Sequence, residues 1–203
     1  MFYRPEAGHG LPHDPFRAIV SPRPIGWISS ISNAGLVNLA PYSFFNALSG
    51  QPPLLMFSSE GIKDSITNAM ETGEFVVNMA TRPLAAQLNE TSRAHAAGIN
   101  EFDVTGLTPA PCEIVAAPRV AESPASLECK VTDIVPVKDL NGDVGDRVMA
   151  IAQVVGIHIN EAFLRDGQFD NVAAQTIARC GYWEYQVSSE MFSMPRPDHQ
   201  APH

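Results

Sequence analysis

The chain has 203 residues, 45% apolar and 17% charged, with a formal net charge of −9. That length suits one domain whose core is stable without staples, and the composition is globular rather than disordered. The acidity argues against a nucleic-acid surface, which needs a basic stripe, and no apolar run reaches membrane-spanning length.

The first fifteen residues carry three prolines and two histidines and read as an arm. They lack a basic segment ahead of an apolar one, so no signal peptide is expected and a cytoplasmic location is. Ile25 to Ile31 is rich in β-formers and ends at Ser32-Asn33-Ala34-Gly35; Leu36 to Ala40 returns from that turn, which predicts a hairpin. Leu54 to Ser59 is a continuous apolar run between turn signals and predicts a buried strand. A short helix follows, with Asp64 or Ser65 as N-cap, Ile66, Ala69 and Met70 at helical spacing, and Gly73 as terminator. Phe75 to Met79 is a further strand.

Residues 82–103 read as helical or irregular, and 109–124 are proline-rich. From Leu127 to Val137, Leu127, Cys129, Val131, Val135 and Val137 fall on one face, with Glu128, Lys130 and Thr132 on the other, predicting a half-buried strand. Val148 to Ile159 is a long strand with large odd and small even positions and His158 near its end. About six strands with few helices predict a small antiparallel barrel. The tail 188–203 is too proline-rich to join a sheet and reads as a second arm.

Several motifs carry no chemistry. Cys112, Cys129 and Cys180 lie far apart without a C-x-x-C, so no metal site is expected, and their odd number fits a reducing compartment. Asp139 to Asp146 resembles the start of a calcium loop but has Val144 where glycine belongs and Ala150 where the bidentate glutamate belongs. It therefore reads as a polar hairpin loop. No dinucleotide glycine fingerprint, P-loop or serine-hydrolase elbow occurs. His158 reads as a core or interface residue.

The leading site is the set Ser29, Ser30, Ser43, Ser58, Ser59 and Lys63, all at strand ends or a helix start. Hydroxyls, an ammonium and free amides at a helix N-terminus match a phosphate monoester. Phe44, Phe45 and Asn46 could border a flat ring and bond its edge, and His95 could reach the pocket from its loop. Core filling and solvated charge explain the same residue types.

These segments together resemble the flavin-reductase-like, FMN-binding split-barrel proteins, in particular the flavoredoxin-type branch. The resemblance runs from about Phe16 to Pro197. It is carried by Ser21-Pro-Arg-Pro-Ile-Gly-Trp-Ile-Ser-Ser, Asn38-Leu-Ala-Pro-Tyr-Ser-Phe-Phe-Asn46, Lys63-Asp64-Ser65 with Asn68, Gly73-Glu-Phe-Val-Val-Asn78, Leu127-Glu-Cys129 and Met194-Pro-Arg-Pro197. It implies a six-stranded Greek-key split barrel spanning 1–203, with a core of about 16–187, arms at 1–15 and 188–203, and a homodimer with FMN near its interface. By position it implies flavin contacts from Trp27, Ile28, Ser29 and Ser30 and from Ser43 to Asn46. The phosphate side would fall to Ser58, Ser59, Lys63, Asp64 and Asn68. His95 and Arg179 are the candidates for holding NADH or NADPH as a transient donor. In Arg179-Cys180-Gly181-Tyr182 the family's paired glycines are interrupted. The activity implied is NAD(P)H-dependent flavin reduction with no catalytic side chain, because the flavin carries the chemistry. An FMN-containing electron carrier serving a protein partner and a non-redox flavin-binding protein are the rival expectations.

Overall fold

Alternating apolar residues organise the centre of the chain into one antiparallel sheet. The computed structural model describes residues 1–96, 98–195 and 197. Seven strands build the sheet: β1 (Gly26–Ile31), β2 (Val37–Tyr42), β3 (Phe45–Gly50), β4 (Pro53–Glu60), β5 (Glu74–Met79), β6 (Ala125–Pro136) and β7 (Arg147–Ile159). They lie in the order β2-β1-β5-β6-β7-β4-β3. The seventh strand beyond the six expected is β3. Its sequence lacks clean alternation and most of it is exposed, so only its pairing with β4 makes it a strand.

Among the described residues, three helices beyond the short turn Phe16–Ile19 accompany the sheet: α1 (Asp64–Thr72), α2 (Ala85–Glu90) and α3 (Glu101–Thr105). Helix α1 plugs the barrel. Its Ile66 and Ala69 meet Ile28, Leu55, Phe57, Phe75, Val77 and Cys129, together with the even residues of β7 from Val148 to Val154. Small side chains therefore face inward on this part of β7, and Met149 and Ile151 face out. On the outer face, Trp27, Leu39, Leu84, Leu88, Phe102 and Ile177 form a second cluster under α2 and α3. Three short strands, Arg23–Pro24, Ile177–Arg179 and Tyr185–Val187, make a separate ribbon in which Arg23 pairs with Arg179 and Arg179 with Tyr185.

Two expectations fail for local reasons. Helix α1 is entered at Lys63, not capped by Asp64 or Ser65. Ser65 turns inward instead and accepts a bond from Asn38 Nδ2 at 2.8 Å. Gly73 does end the helix, with φ 71° and its N–H on the Ala69 carbonyl at 3.1 Å. On β6, Glu128 is 1% exposed rather than solvated, because the 113–115 segment covers it. A register shift near Thr132 then turns Ile134, not Val135, toward the barrel interior. A similar shift near Val155 changes the parity of β7, so Gly156 comes opposite Glu128 and His158 opposite Ser126.

The 139–146 segment is a polar loop between β6 and β7, with the Asp139 carboxylate accepting the Asn141 and Asp143 N–H groups at 2.8 and 2.9 Å. Among the described residues no helix is long and apolar enough to cross a membrane. Of the C-terminal arm, residues 196 and 198–203 lie outside the described residues.

Candidate functional site

Two basins meet beside the C-terminal end of β2 and share Pro41 and Ser92. The first, about 380 Å³, is walled by Asn38, Tyr42, Lys63, Asp64, Ser65, Arg93, His95 and Glu101. The second, about 320 Å³, is walled by Arg17, Arg23, Ser43, Asn89, Arg179, Tyr182, Trp183 and Tyr185. The helix N-terminus presents Lys63 to the first basin, while the loop after α2 brings Ser92, Arg93 and His95 to it. The ribbon supplies Arg23 and Arg179 to the second.

On a chain of net charge −9, this cleft collects five of the thirteen lysines and arginines: Arg17, Arg23, Lys63, Arg93 and Arg179. The second basin has no carboxylate in its wall. In the first, Glu101 is buried and its carboxylate accepts the Leu39 N–H at 2.9 Å, and Asp64 is exposed. Arg23 is buried, and its Nη1 donates to the carbonyls of Arg17, Val20 and Cys180, fastening both flanking loops. Burial first, and then the charges of Arg17 and Arg179, hold its pKa below the usual arginine value. Among the described residues, the buried Arg23 Nε and His95 Nε2 have no hydrogen-bond partner. Groups of that kind call for a polar ligand atom or water. Two of the five cations already have carboxylate partners, Arg17 with Glu60 at 3.2 Å and Arg93 with Glu90 at 2.8 Å.

The aromatic wall is held in place by close packing. Gly181 lies so near the 16–19 helical turn that a Cβ there would sit 2.6 Å from Ala18 Cα. Tyr182 follows with φ 48°, a left-handed conformation uncommon for a side-chain-bearing residue. The Arg179 guanidinium lies 4.6 Å from the Tyr185 ring centroid and donates to the Tyr182 carbonyl. The interrupted glycine pair thus builds a positioned aromatic corner, with Trp183 90% exposed.

The structure brings Ser43, Lys63, Asp64, His95 and Arg179 to this cleft and turns the other candidates elsewhere. Trp27 is fully buried, donating from Nε1 to Thr91 at 2.9 Å, and Ile28 is in the barrel core. Ser29 donates to the Pro118 carbonyl and Ser30 accepts from Asn68 Nδ2 at 3.0 Å. Ser59 bonds the Gly61 carbonyl at 2.8 Å and, with Ser65, the Tyr42 phenol, whose pKa burial raises. Ser58 sits half-buried on β4, and Asn46 is exposed with its amide oxygen on the Ala47 N–H. Phe44 lies 5.8 and 5.9 Å from the Arg17 and Arg23 guanidinium carbons, and Phe45 borders a different, apolar groove. The residues missed by sequence reading are Arg17, Arg23, Ser92, Arg93, Tyr182 and Trp183.

A family profile described as flavin reductase like domain matches residues 18–173. The chain belongs to that family. Membership places this flavin-reductase-like protein among the flavin-binding oxidoreductases. An uncharacterized protein of Halalkalibacterium halodurans is 36% identical over 183 residues, covering 88% of this chain and 87% of its own. The crystal structure of nitrilotriacetate monooxygenase component B from Bacillus cereus is 27% identical, covers 96% of this chain and 98% of its own, and superposes with a TM-score of 0.86. A split-barrel-domain protein from Shewanella frigidimarina shares the fold, with 22% identity, coverage of 97% and 99%, and a TM-score of 0.82. The antiparallel barrel described above is therefore a split barrel.

Proposed function

We propose that the protein is an FMN-dependent oxidoreductase that takes hydride from NADH or NADPH and passes the electrons on through its flavin. The observation that supports this most is the cleft itself: five cations and two unpartnered buried nitrogens against an aromatic wall. A flavin mononucleotide has a dianionic phosphate and a flat ring that becomes anionic on reduction, and the two basins match those demands. In this reading Lys63, Ser92, Arg93 and His95 hold the phosphate. Pro41, Tyr182, Trp183 and Tyr185 flank the ring and limit water around it.

Bound FMN supplies the hydride chemistry. The chain's own part is orientation and charge stabilisation. Arg23 and Arg179 place two guanidinium groups at a basin without a lining carboxylate, with Arg17 beside them paired to Glu60, a preorganised field that favours added negative charge. Arg23 is the best anchored of the three, with its Nη1 on three backbone carbonyls. No side chain needs to act as general acid or base in hydride transfer. The protein acts as a homodimer in this reading. The basis is an apolar groove of about 410 Å³ that includes Pro24, Phe45, Met79, Leu127 and Ile177.

Anaerobic rapid mixing of the FMN-loaded protein with NADH or NADPH tests the proposal. Bleaching of the flavin band within seconds is the expected result. Bleaching only with dithionite or a reduced protein would overturn it in favour of an electron carrier. Failure to retain or bind FMN at all would overturn the cofactor assignment.

A further inference from the structure

We infer that Cys112, Glu128 and His158 form a binding site for a zinc ion, separate from the flavin cleft and independent of the function proposed above. Cys112 Sγ, a Glu128 carboxylate oxygen and a His158 ring nitrogen all lie within 4.8 Å of one another. They come from a loop, from β6 and from β7, so no spacing in the sequence announces them. Two features of the sheet bring them together. The register shift near Val155 puts Gly156 opposite Glu128 and His158 two residues further on. Gly156 leaves the space the carboxylate occupies, since a Cβ there would lie 3.2 Å from Glu128 Cδ and Oε1.

The carboxylate is aimed. Its Oε1 accepts the Glu113 N–H at 3.0 Å, and its Oε2 accepts those of Ile114 and Val115 at 2.7 and 2.9 Å. Oε1 also meets His158 Nε2 at 2.6 Å. The three amides fix the carboxylate as outer-shell groups fix a metal ligand, and the remaining Oε1 lone pair points at the imidazole. In a tetrahedral site with bonds of about 2.0 Å to N and O, those two atoms stand ~3.3 Å apart. A displacement of well under 1 Å thus converts the hydrogen bond into two metal bonds. Movement of the Cys112 loop side chain, which is not fully buried, closes the third.

An ion pair accounts for Glu128 and His158 alone. It does not account for a thiol at the same point. Thiolate, imidazole and carboxylate together suit zinc rather than calcium or magnesium, which take oxygen ligands. Thiolate plus carboxylate also balances a divalent ion's charge. A cavity of about 450 Å³, bordered by Arg119, Ser126, His158 and Asn160, reaches the site from solvent on its His158 side.

The test is cobalt titration of untagged, chelator-treated, flavin-containing protein, read as a difference spectrum against the same protein without cobalt. One equivalent per chain should bring a thiolate-to-cobalt charge-transfer band with tetrahedral d–d bands, and zinc should displace it. Cys112→Ser should abolish the charge-transfer band and weaken zinc binding by roughly a hundred-fold or more. His158→Gln should weaken binding comparably, and Cys180→Ser should change nothing. Flavin content should be the same in all three variants. Absence of saturable uptake, or an unchanged charge-transfer band in Cys112→Ser, would overturn the inference.

Discussion

Replacing Asn78 by leucine removes the polar hub of the outer sheet face. Asn78 is fully buried; its Nδ2 donates to the Trp27 carbonyl and Ser29 Oγ, each at 3.0 Å. Its Oδ1 accepts the Val120 N–H at 2.8 Å and the Ser126 hydroxyl at 2.9 Å. Ser29 keeps a second partner in the Pro118 carbonyl. In Asn78→Leu the Val120 N–H, the Trp27 carbonyl and the Ser126 hydroxyl lose this partner inside the protein, at about 1–2 kcal/mol each. The added apolar burial offsets about 1–2 kcal/mol. The net expectation is a destabilisation of about 3 kcal/mol. Urea unfolding followed by tryptophan fluorescence at one fixed protein concentration measures it, as a midpoint shift of about 1 M with little change in slope. Asn78→Asp sharpens the test. It keeps an acceptor for Val120 and Ser126 but puts a carboxylate against the Trp27 carbonyl. Its folded-state pKa is then raised, and the deficit should shrink toward acid. A loss below about 1 kcal/mol in Asn78→Leu, or a pH-independent loss in Asn78→Asp, would refute the hub.

Four further outcomes are expected. Lys63→Ala should weaken FMN binding by roughly ten- to a hundred-fold, from the loss of one charge-assisted bond, and leave riboflavin binding nearly unchanged; fluorescence titration with both flavins checks it. Gly181→Ala should push the Tyr182–Trp183 corner off Ala18, lowering stability by about 1–3 kcal/mol and FMN affinity with it, as read by melting and by flavin retention. Burial pushes the Glu128 carboxyl up, but the Glu113 N–H, His158 and the Ile114 and Val115 N–H groups outweigh it and hold the pKa at about 2. Being depressed, it contributes stability that is complete above the usual value of 4.5 and lost as pH falls toward 2, about 3 kcal/mol in all; in acid titration of stability, His158→Gln should shrink that loss. Ending the chain after Val187 should weaken the proposed homodimer, seen as dissociation at higher concentration in light scattering, because Met191, Phe192 and Met194 are exposed apolar side chains.

The barrel was legible because its strands repeat with period two and its hairpins carry turn signals, as between Ile31 and Val37. What alternation could not show were the interruptions. Extra residues near Thr132 and Val155 change the parity of β6 and β7, which decides the environments of Val135 and His158, while Glu128 is buried by the 113–115 segment. Lys63, His95 and Arg179 were legible as candidates because their chemistry stands out against an acidic chain. Arg23 was not, since its place beside Arg179 depends on a pairing between segments more than 150 residues apart, and such pairings leave no local trace. Serine hydroxyls were read as ligand groups by type alone, and type does not distinguish a hydroxyl facing a cleft from one facing an asparagine.

Those serines bear on the cleft at one remove. An apolar helix face against an apolar sheet tolerates small rotations, since one methyl contact substitutes for another. Helix α1 is also docked by two amide–hydroxyl pairs, Asn68 with Ser30 and Ser65 with Asn38, which run in opposite directions between helix and sheet. Together they admit a single roll angle, and that angle sets where Lys63 stands at the helix entrance. The lysine's reach is thereby limited before any anion arrives, and less of its freedom remains to be lost on binding. A change at Ser30, or at Asn38 in the basin wall, would loosen a cation through the helix that carries it.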